Sequence, residues 1–388
     1  MTQSAPRLAQ PTGAIPCLDG IRAVAVLLVF VAHSGFERIV PGGLGVTIFF
    51  VLSGFLITTL MRIEHARSGS IHLRNFYLRR LLRLMPPLVI VVLAAGLLAS
   101  ASLIDRGFTW AGLSATLLYY GNYHMIAHDF EGVPAGLGVV WSLAIEEHYY
   151  LLYPPLALLL LRMQRLARGA ALLGVLCAIV LAWRCGLVAN GASTDYVTMA
   201  SDTRVDAILF GCLMALARNP WLDPVAASSP AREGAVAGLC IAVLLVTFVY
   251  RDEVFRMTLR YTLQGLAIMV LLYLAVARAD RWPFRWLSAP VLVYIGSISY
   301  TVYLSHHVIL LGLAKHWPAW HPLLLTAVGA LLTLGFAEAM RRCIELPVAR
   351  LRRRFHGAEA AVAAPAAAAA VAAVASNSTP ALSPAGAR

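Results

Sequence analysis

Charge is what this chain has least of. Only 13% of its 388 residues are charged and 60% are hydrophobic, whereas a soluble globular chain is near one quarter charged. Lysine is almost missing: Lys315 is the one lysine among 31 basic residues, and the rest are arginine. The six cysteines (Cys17, Cys177, Cys185, Cys212, Cys240, Cys343) show no CxxC or metal-ligand spacing and lie mostly in or beside apolar stretches. They read as small buried hydrophobes rather than ligands. There is no P-loop, GxGxxG, HExxH or GxSxG elbow, which counts against ATP-driven and metal-dependent chemistry. The N-terminus lacks a basic segment leading into a short apolar stretch and a small-residue cleavage site, so no removed signal peptide is expected.

What is present is hydrocarbon. The mean hydropathy is +0.75, and apolar runs near the roughly 20 residues that a bilayer crossing takes fall at 18–36, 44–62, 84–102, 141–161, 170–189, 203–218, 234–250, 258–277, 289–312 and 322–340. The expectation is an all-α, polytopic integral membrane protein of about ten transmembrane helices. Arginine placement sets its orientation. With the N-terminus in the cytoplasm, Arg62, Arg67, Arg74, Arg79, Arg80 and Arg83 fall inside, as the positive-inside rule requires. An eleventh stretch, 110–124, carries Tyr119, Tyr120, Asn122, Tyr123 and His124. Counting it as a crossing would put Arg162, Arg165 and Arg168 outside, so it is read as re-entrant or interfacial and both termini as cytoplasmic. The formal charge of +12 then belongs to loops facing anionic lipid, not to nucleic-acid binding. Residues 1–14 form a short cytoplasmic segment. From Gly357 the chain is Ala, Pro and Ser with too little apolar surface to offset ordering entropy, so 357–388 is expected to be a disordered tail.

Several polar groups stand inside these runs. Arg22 and His33 are eleven residues apart in one apolar stretch, almost three helical turns, so they share a face about 16 Å apart along the axis. Ionisable groups inside a membrane are functional candidates, but both could equally be interfacial anchors. Arg79, Arg80 and Arg83 cluster at the inner interface by i, i+3 and i, i+4 spacing, where guanidinium groups suit either a phosphate ligand or lipid headgroups. The small residues of Gly42–Phe55, with Gly45, Ser53 and Gly54 among them, suit close helix packing or a cavity wall. In the Trp141–Pro154 segment Ser142, Glu146, Tyr149 or Tyr150, and Tyr153 recur at helical spacing and form a polar stripe, either a site or an interfacial cap, with Glu147 beside Glu146. Two adjacent carboxylates there are costly unless partnered or protonated. Arg204 and Asp206 could pair although i, i+2 spacing points them to different faces. Tyr300, Tyr303 and His307 share a face, with His306 adjacent, and Glu345 is expected to meet an arginine.

Together these segments are similar to the acyltransferase 3 family of bacterial integral-membrane acyltransferases. The resemblance rests on Asp19-Gly20-Ile21-Arg22 running to His33, the Gly45–Phe55 stretch, Arg80-x-x-Arg83, Trp141-Ser142-Leu143 with Glu146, and Ser299-Tyr300 with Tyr303, Leu304 and His306. The Thr203–Asp206 and Ile344-Glu345-x-Pro347 segments also look like family features. It covers residues 15–350. Two departures, His148 and Cys343, lie away from the implied chemistry, and no extracytoplasmic hydrolase-like domain is fused, which suggests a stand-alone member.

The resemblance implies acyl transfer, commonly of acetyl from acetyl-CoA or another acyl-CoA, to a hydroxyl of a glycan or glycolipid such as lipopolysaccharide, exopolysaccharide or peptidoglycan, in the bacterial inner membrane. It implies catalysis by His33 and donor contacts by Arg80 and Arg83, to which Arg79 is added here. His33, oriented by Glu146 or another carboxylate, would act as general base or carry the acyl group transiently, no metal would take part, and Asp19, Arg22, Ser53, Trp141, Ser142, Arg204, Asp206, Tyr300, Tyr303, His306 and Glu345 would support or bind substrate. The competing class is a proton-coupled transporter or flippase, since buried His, Glu and Arg on ten spans also describe a carrier. Against it stand the lack of a visible inverted repeat and of matching broken helices.

Overall fold

The computed structural model describes residues 15–352 except 106 and 164. The expected N-terminal segment 1–14 and the tail 357–388 lie outside the described residues. Among these, every regular element is a helix. In chain order they are α1 (Pro16–Val31), α2 (Gly42–Ser68), α3 (Leu73–Ser100), α4 (Trp110–Leu117), α5 (Gly121–His128), α6 (Trp141–Arg162), α7 (Leu166–Ala189), α8 (Thr194–Met199), α9 (Ser201–Ala217), α10 (Pro230–Val249), α11 (Glu253–Met257), α12 (Leu259–Ala277), α13 (Pro290–Ser297), α14 (Ser299–His316), α15 (Pro322–Met340) and α16 (Leu346–Arg352).

All ten expected apolar runs are helical, but fewer qualify as spans in their own right. Among the described residues seven helices are long and apolar enough to cross a membrane, and α13 with α14, bent by 71° at Ile298, adds an eighth if the pair is one span. The two that fall short are the polar ones. Helix α9 has 17 residues and carries Asp202, Arg204 and Asp206, while α6 carries Glu146, Glu147, His148, Tyr149 and Tyr150 in its first half. The 110–124 stretch is two helices, α4 and α5, of eight residues each. At about 12 Å apiece, neither crosses a hydrocarbon core about 30 Å thick.

Helix α9 forms the axis: twelve of its 17 residues are buried. Helices α2, α6, α7 and α12 pack around it. Outer helices keep apolar surface uncovered, as α10 does with Leu239, Leu245, Val246 and Val249. That is the surface lipid would cover, since hydrocarbon offers such side chains no reason to hide.

Glycines let the inner helices touch backbone to backbone. A β-carbon on Gly54 would sit 1.9 Å from Ile208 O, and one on Gly211 would sit 2.0 Å from Val51 O, so α2 and α9 are in reciprocal contact. The same device joins α1 to its neighbours. A β-carbon on Gly20 would meet Leu287 O at 1.8 Å, and one on Gly296 would meet Asp19 O at 1.8 Å.

One proline inside a helix has its lost donor replaced from a neighbouring helix. Pro155 cannot bond the carbonyl of Leu151 one turn back, and the Tyr77 hydroxyl of α3 donates to that carbonyl at 2.9 Å. A carbonyl in apolar surroundings needs such a donor.

Overpacking these contacts tests the arrangement. Gly54→Ala and Gly211→Ala should each lower the stability of the detergent-solubilised protein by about 1–3 kcal/mol, read as an earlier thermal midpoint. Gly43→Ala, where nothing lies within 4 Å, should leave it unchanged.

Candidate active site

The end of α1 delivers His33 to the surface. After Val31 the helix widens into a π-turn over Ala32–Phe36 and stops at Gly35, whose φ of 102° suits glycine best. His33 emerges exposed while its neighbours Ala32 and Ser34 stay buried. Its Nδ1 lies 3.0 Å from Val29 O and 3.2 Å from Nε2 of His306, which is fully buried in α14. The His307 ring lies 4.6 Å from that of His33, centroid to centroid.

Two cavities flank this cluster. The first, about 680 Å³, is lined by Arg22, Arg80 and Arg83 with Glu146, Tyr150 and Ser53, and it reaches Ser142 and Tyr303. The second, about 740 Å³, is lined by His33, His307, Trp141, Phe130 and the turn around Gly136–Val139. The wall between them is built where Ser142 and Tyr303, on the lining of the first, meet Val139, on the lining of the second. Ser142 Oγ and the Tyr303 hydroxyl are 2.7 Å apart, and both reach Val139 O, at 3.3 Å and 2.9 Å.

The first cavity is cationic. Arg80 lies over the Tyr150 ring at 4.6 Å, which leaves its planar donors directed by stacking rather than by a carboxylate. The Tyr150 hydroxyl donates to Glu146 at 2.8 Å and lies 3.2 Å from Ser53 Oγ. Arg22 pairs with Asp19 at 2.7 Å, as i, i+3 spacing on α1 suggests. With Arg22 matched by Asp19, the planar donor forks of Arg80 and Arg83 on this lining are of the kind that suits phosphate.

Other expectations need correction. Glu146 does not orient His33: its hydrogen bond is with Tyr150 in the arginine cavity, across the wall, while His33 is held by Val29 and His306. Arg79 is not in the cavity lining with Arg80 and Arg83. Each residue turns a helix by about 100°, and this step aims Arg79 at Glu64, 3.3 Å away. Glu345, expected to meet an arginine, accepts from the Thr301 hydroxyl at 2.5 Å. Tyr300 lines the first cavity and donates to Leu84 O at 2.8 Å.

Arg204 and Asp206 take separate partners. Arg204 is packed over Tyr261 at 3.8 Å, with Trp141 and Phe50 within 6 Å. Asp206 pairs with Arg184 of α7 at 3.0 Å and accepts from Thr262 at 3.1 Å, and both charged side chains are fully buried. Sequence reasoning gave Arg184 no role, although it is the one charged residue between 170 and 189. It also left His307 and Tyr150 without one. For His307 the signal was its adjacency to His306 and its shared face with Tyr303.

With this geometry established, comparison with known proteins places the chain. Residues 15–341, from the start of α1 to the end of α15, match the family described as an acyltransferase domain. The chain belongs to the acyltransferase 3 family. Both cavities and the wall lie within the matched residues, so this family of acyltransferases is the setting in which the site is to be read. The peptidoglycan O-acetyltransferase OatA of Listeria monocytogenes is 29% identical over 360 residues, covering 87% of this chain and 56% of that protein. The O-acetyltransferase OatA of Staphylococcus aureus is 30% identical over 348 residues, with 87% and 57% covered. The chain thus spans just over half the length of these relatives. No solved structure matches it.

The buried Arg184–Asp206 pair makes a testable stability claim. Asp206→Asn or Arg184→Leu should each cost about 3–5 kcal/mol, because an uncompensated charge is left buried, and joint replacement of both by leucine should recover much of that loss. The folded fraction after detergent extraction, followed over temperature, measures both effects.

Proposed function

We propose that the protein is an O-acyltransferase of the bacterial inner membrane that moves an acyl group, acetyl foremost, from acyl-CoA to a hydroxyl of a cell-surface or exported glycan. The observation that carries this reading is the pair of cavities, arginine-lined on one side and histidine-lined on the other, joined where Ser142 and Tyr303 of the first reach Val139 O of the second. The names of the OatA relatives support acetyl as the group and a glycan as the acceptor.

In this reading the chain crosses the membrane ten times with both termini cytoplasmic. The positive-inside rule then sets Arg80 and Arg83 at the inner face and His33 towards the outer one. The CoA phosphates bind Arg80 and Arg83, and the pantetheine arm follows α2 past Ser53 to the wall. An acceptor hydroxyl enters the His33 cavity, where Trp141 and Phe130 offer faces to a sugar ring. The Ser142–Tyr303 hydroxyl pair opens for the transfer. His33 takes the hydroxyl proton as the oxygen attacks the thioester carbonyl, an ester forms as the C–S bond breaks, and the proton passes to the departing CoA thiolate.

His33→Ala should lower acyl transfer by about 10²- to 10⁴-fold while the thermal midpoint stays put, because the ring is exposed. The assay is ester formation on an added glycan, with thiol release from acetyl-CoA measured in the same proteoliposomes. Wild-type activity in His33→Ala would refute the assignment, and glycan transport without thiol release would replace the enzyme with a carrier. Arg80→Ala and Arg83→Ala should raise the KM for acetyl-CoA more than Arg79→Ala does, since Arg79 lies outside the cavity lining. Mass spectrometry of surface glycans from cells with and without the gene should show a difference of one acyl group.

A further inference from the structure

His33 has two ring nitrogens, and only the one without a proton can act as a base. The hydrogen bonds around it decide which one that is. In α14, His306 Nδ1 lies 2.7 Å from Tyr303 O and 3.2 Å from Val302 O. Carbonyl oxygens only accept, so this nitrogen carries the proton. In the neutral ring, Nε2 of His306 is then left with its lone pair, pointing at Nδ1 of His33 from 3.2 Å. The same His33 nitrogen lies 3.0 Å from Val29 O. Two acceptors, an imidazole nitrogen and a carbonyl, therefore converge on Nδ1 of His33, and that nitrogen must carry the hydrogen. The opposite assignment sets lone pairs against lone pairs at His33 Nδ1 with Val29 O, and at His306 Nδ1 with Tyr303 O and Val302 O.

We propose that His306 is a positioning residue that holds His33 in the Nδ1–H tautomer, so that Nε2 is the basic nitrogen offered to the acceptor hydroxyl. This rests on the reading of His33 as the base. In serine-hydrolase triads a carboxylate fixes the tautomer of the catalytic histidine. Here a second, fully buried histidine and one helix carbonyl do so, and no carboxylate among the described residues hydrogen-bonds to either ring. The device fixes direction without bringing a negative charge into the membrane, where an isolated carboxylate is costly. It also explains why α14 carries His306 at full burial: its job is done through His33 and needs no contact with substrate.

The test reads the tautomer directly. In full-length protein labelled with ¹⁵N-histidine and reconstituted in lipid, nitrogen NMR distinguishes protonated from unprotonated ring positions. The His33 and His306 signals are assigned by their loss in His33→Gln and His306→Gln. The expected result is protonated Nδ1 and unprotonated Nε2 on both rings in the wild type. A His33 ring protonated at Nε2 alone would overturn the proposal, whatever the activity measurements show. The functional arm compares His306→Leu, which removes the acceptor, with His306→Gln, whose amide oxygen can take the place of Nε2. With acetyl-CoA as donor and chitopentaose as acceptor, His306→Leu should lose on the order of 10²- to 10⁴-fold in kcat with KM for both substrates unchanged. His306→Gln should keep most of the rate. Equal loss in both variants would mark His306 as packing only and refute the positioning role. An inactive wild type in this assay would count against the proposed function, and the tautomer would still be read from the spectrum.

Discussion

The contact of α2 with α9 is the constraint from which the site follows. Gly54 and Gly211 let the two backbones approach until a single methyl group on either would collide with a carbonyl. That closeness buries α9 on nearly every side, and it fixes where the rest of α2 points. Ser53, one residue from Gly54, faces the arginine cavity, as do Phe49 and Phe50 a turn earlier. A wider gap between the helices would turn these side chains into packing filler. The glycine-rich stretch is thus both a packing face and a cavity wall, on different faces of one helix.

Much of the interior is organised by the need to satisfy polar groups where water is scarce. Asp206 is met by Arg184 and Thr262, the Leu151 carbonyl freed by Pro155 is met by Tyr77, and Glu146 is met by Tyr150. Each partner comes from another helix or from one turn away, so each bond also sets a distance between elements. Arg204, enclosed by Tyr261, Phe50 and Trp141, exchanges water for aromatic faces, an arrangement that lysine would fill less well because its ammonium is compact and strongly hydrated. That preference agrees with a chain holding a single lysine.

What could be read from sequence was what depends on neighbours along a helix. The Asp19–Arg22 pair, the shared identity of Arg80 and Arg83 as cavity residues, and the helical state of all ten apolar runs belong to that class. The reading of 110–124 as no full crossing came instead from arginine placement, and its break into two short helices was not foreseen. The bonds that build the site join residues far apart, as Ser142 and Tyr303 are, or His33 and His306, and no periodicity reports them. The misreading of Glu146 has the same origin. Its depth along the fold resembled that of His33, but depth does not say on which side of a wall a side chain lies. Arg79 shows a finer failure, since i, i+4 spacing to Arg83 made it a neighbour while its own rotation on the helix gave it to Glu64.

The turn Leu137–Val140 belongs to two structures at once. Its Gly138 and Val139 line the His33 cavity, and the carbonyl of Val139 is the common acceptor for both hydroxyls of the wall. A body seated in that cavity presses on the same short turn that latches the wall shut. Any shift of Val139 would therefore change the shape of the His33 cavity and the hydroxyl pair of the arginine cavity together.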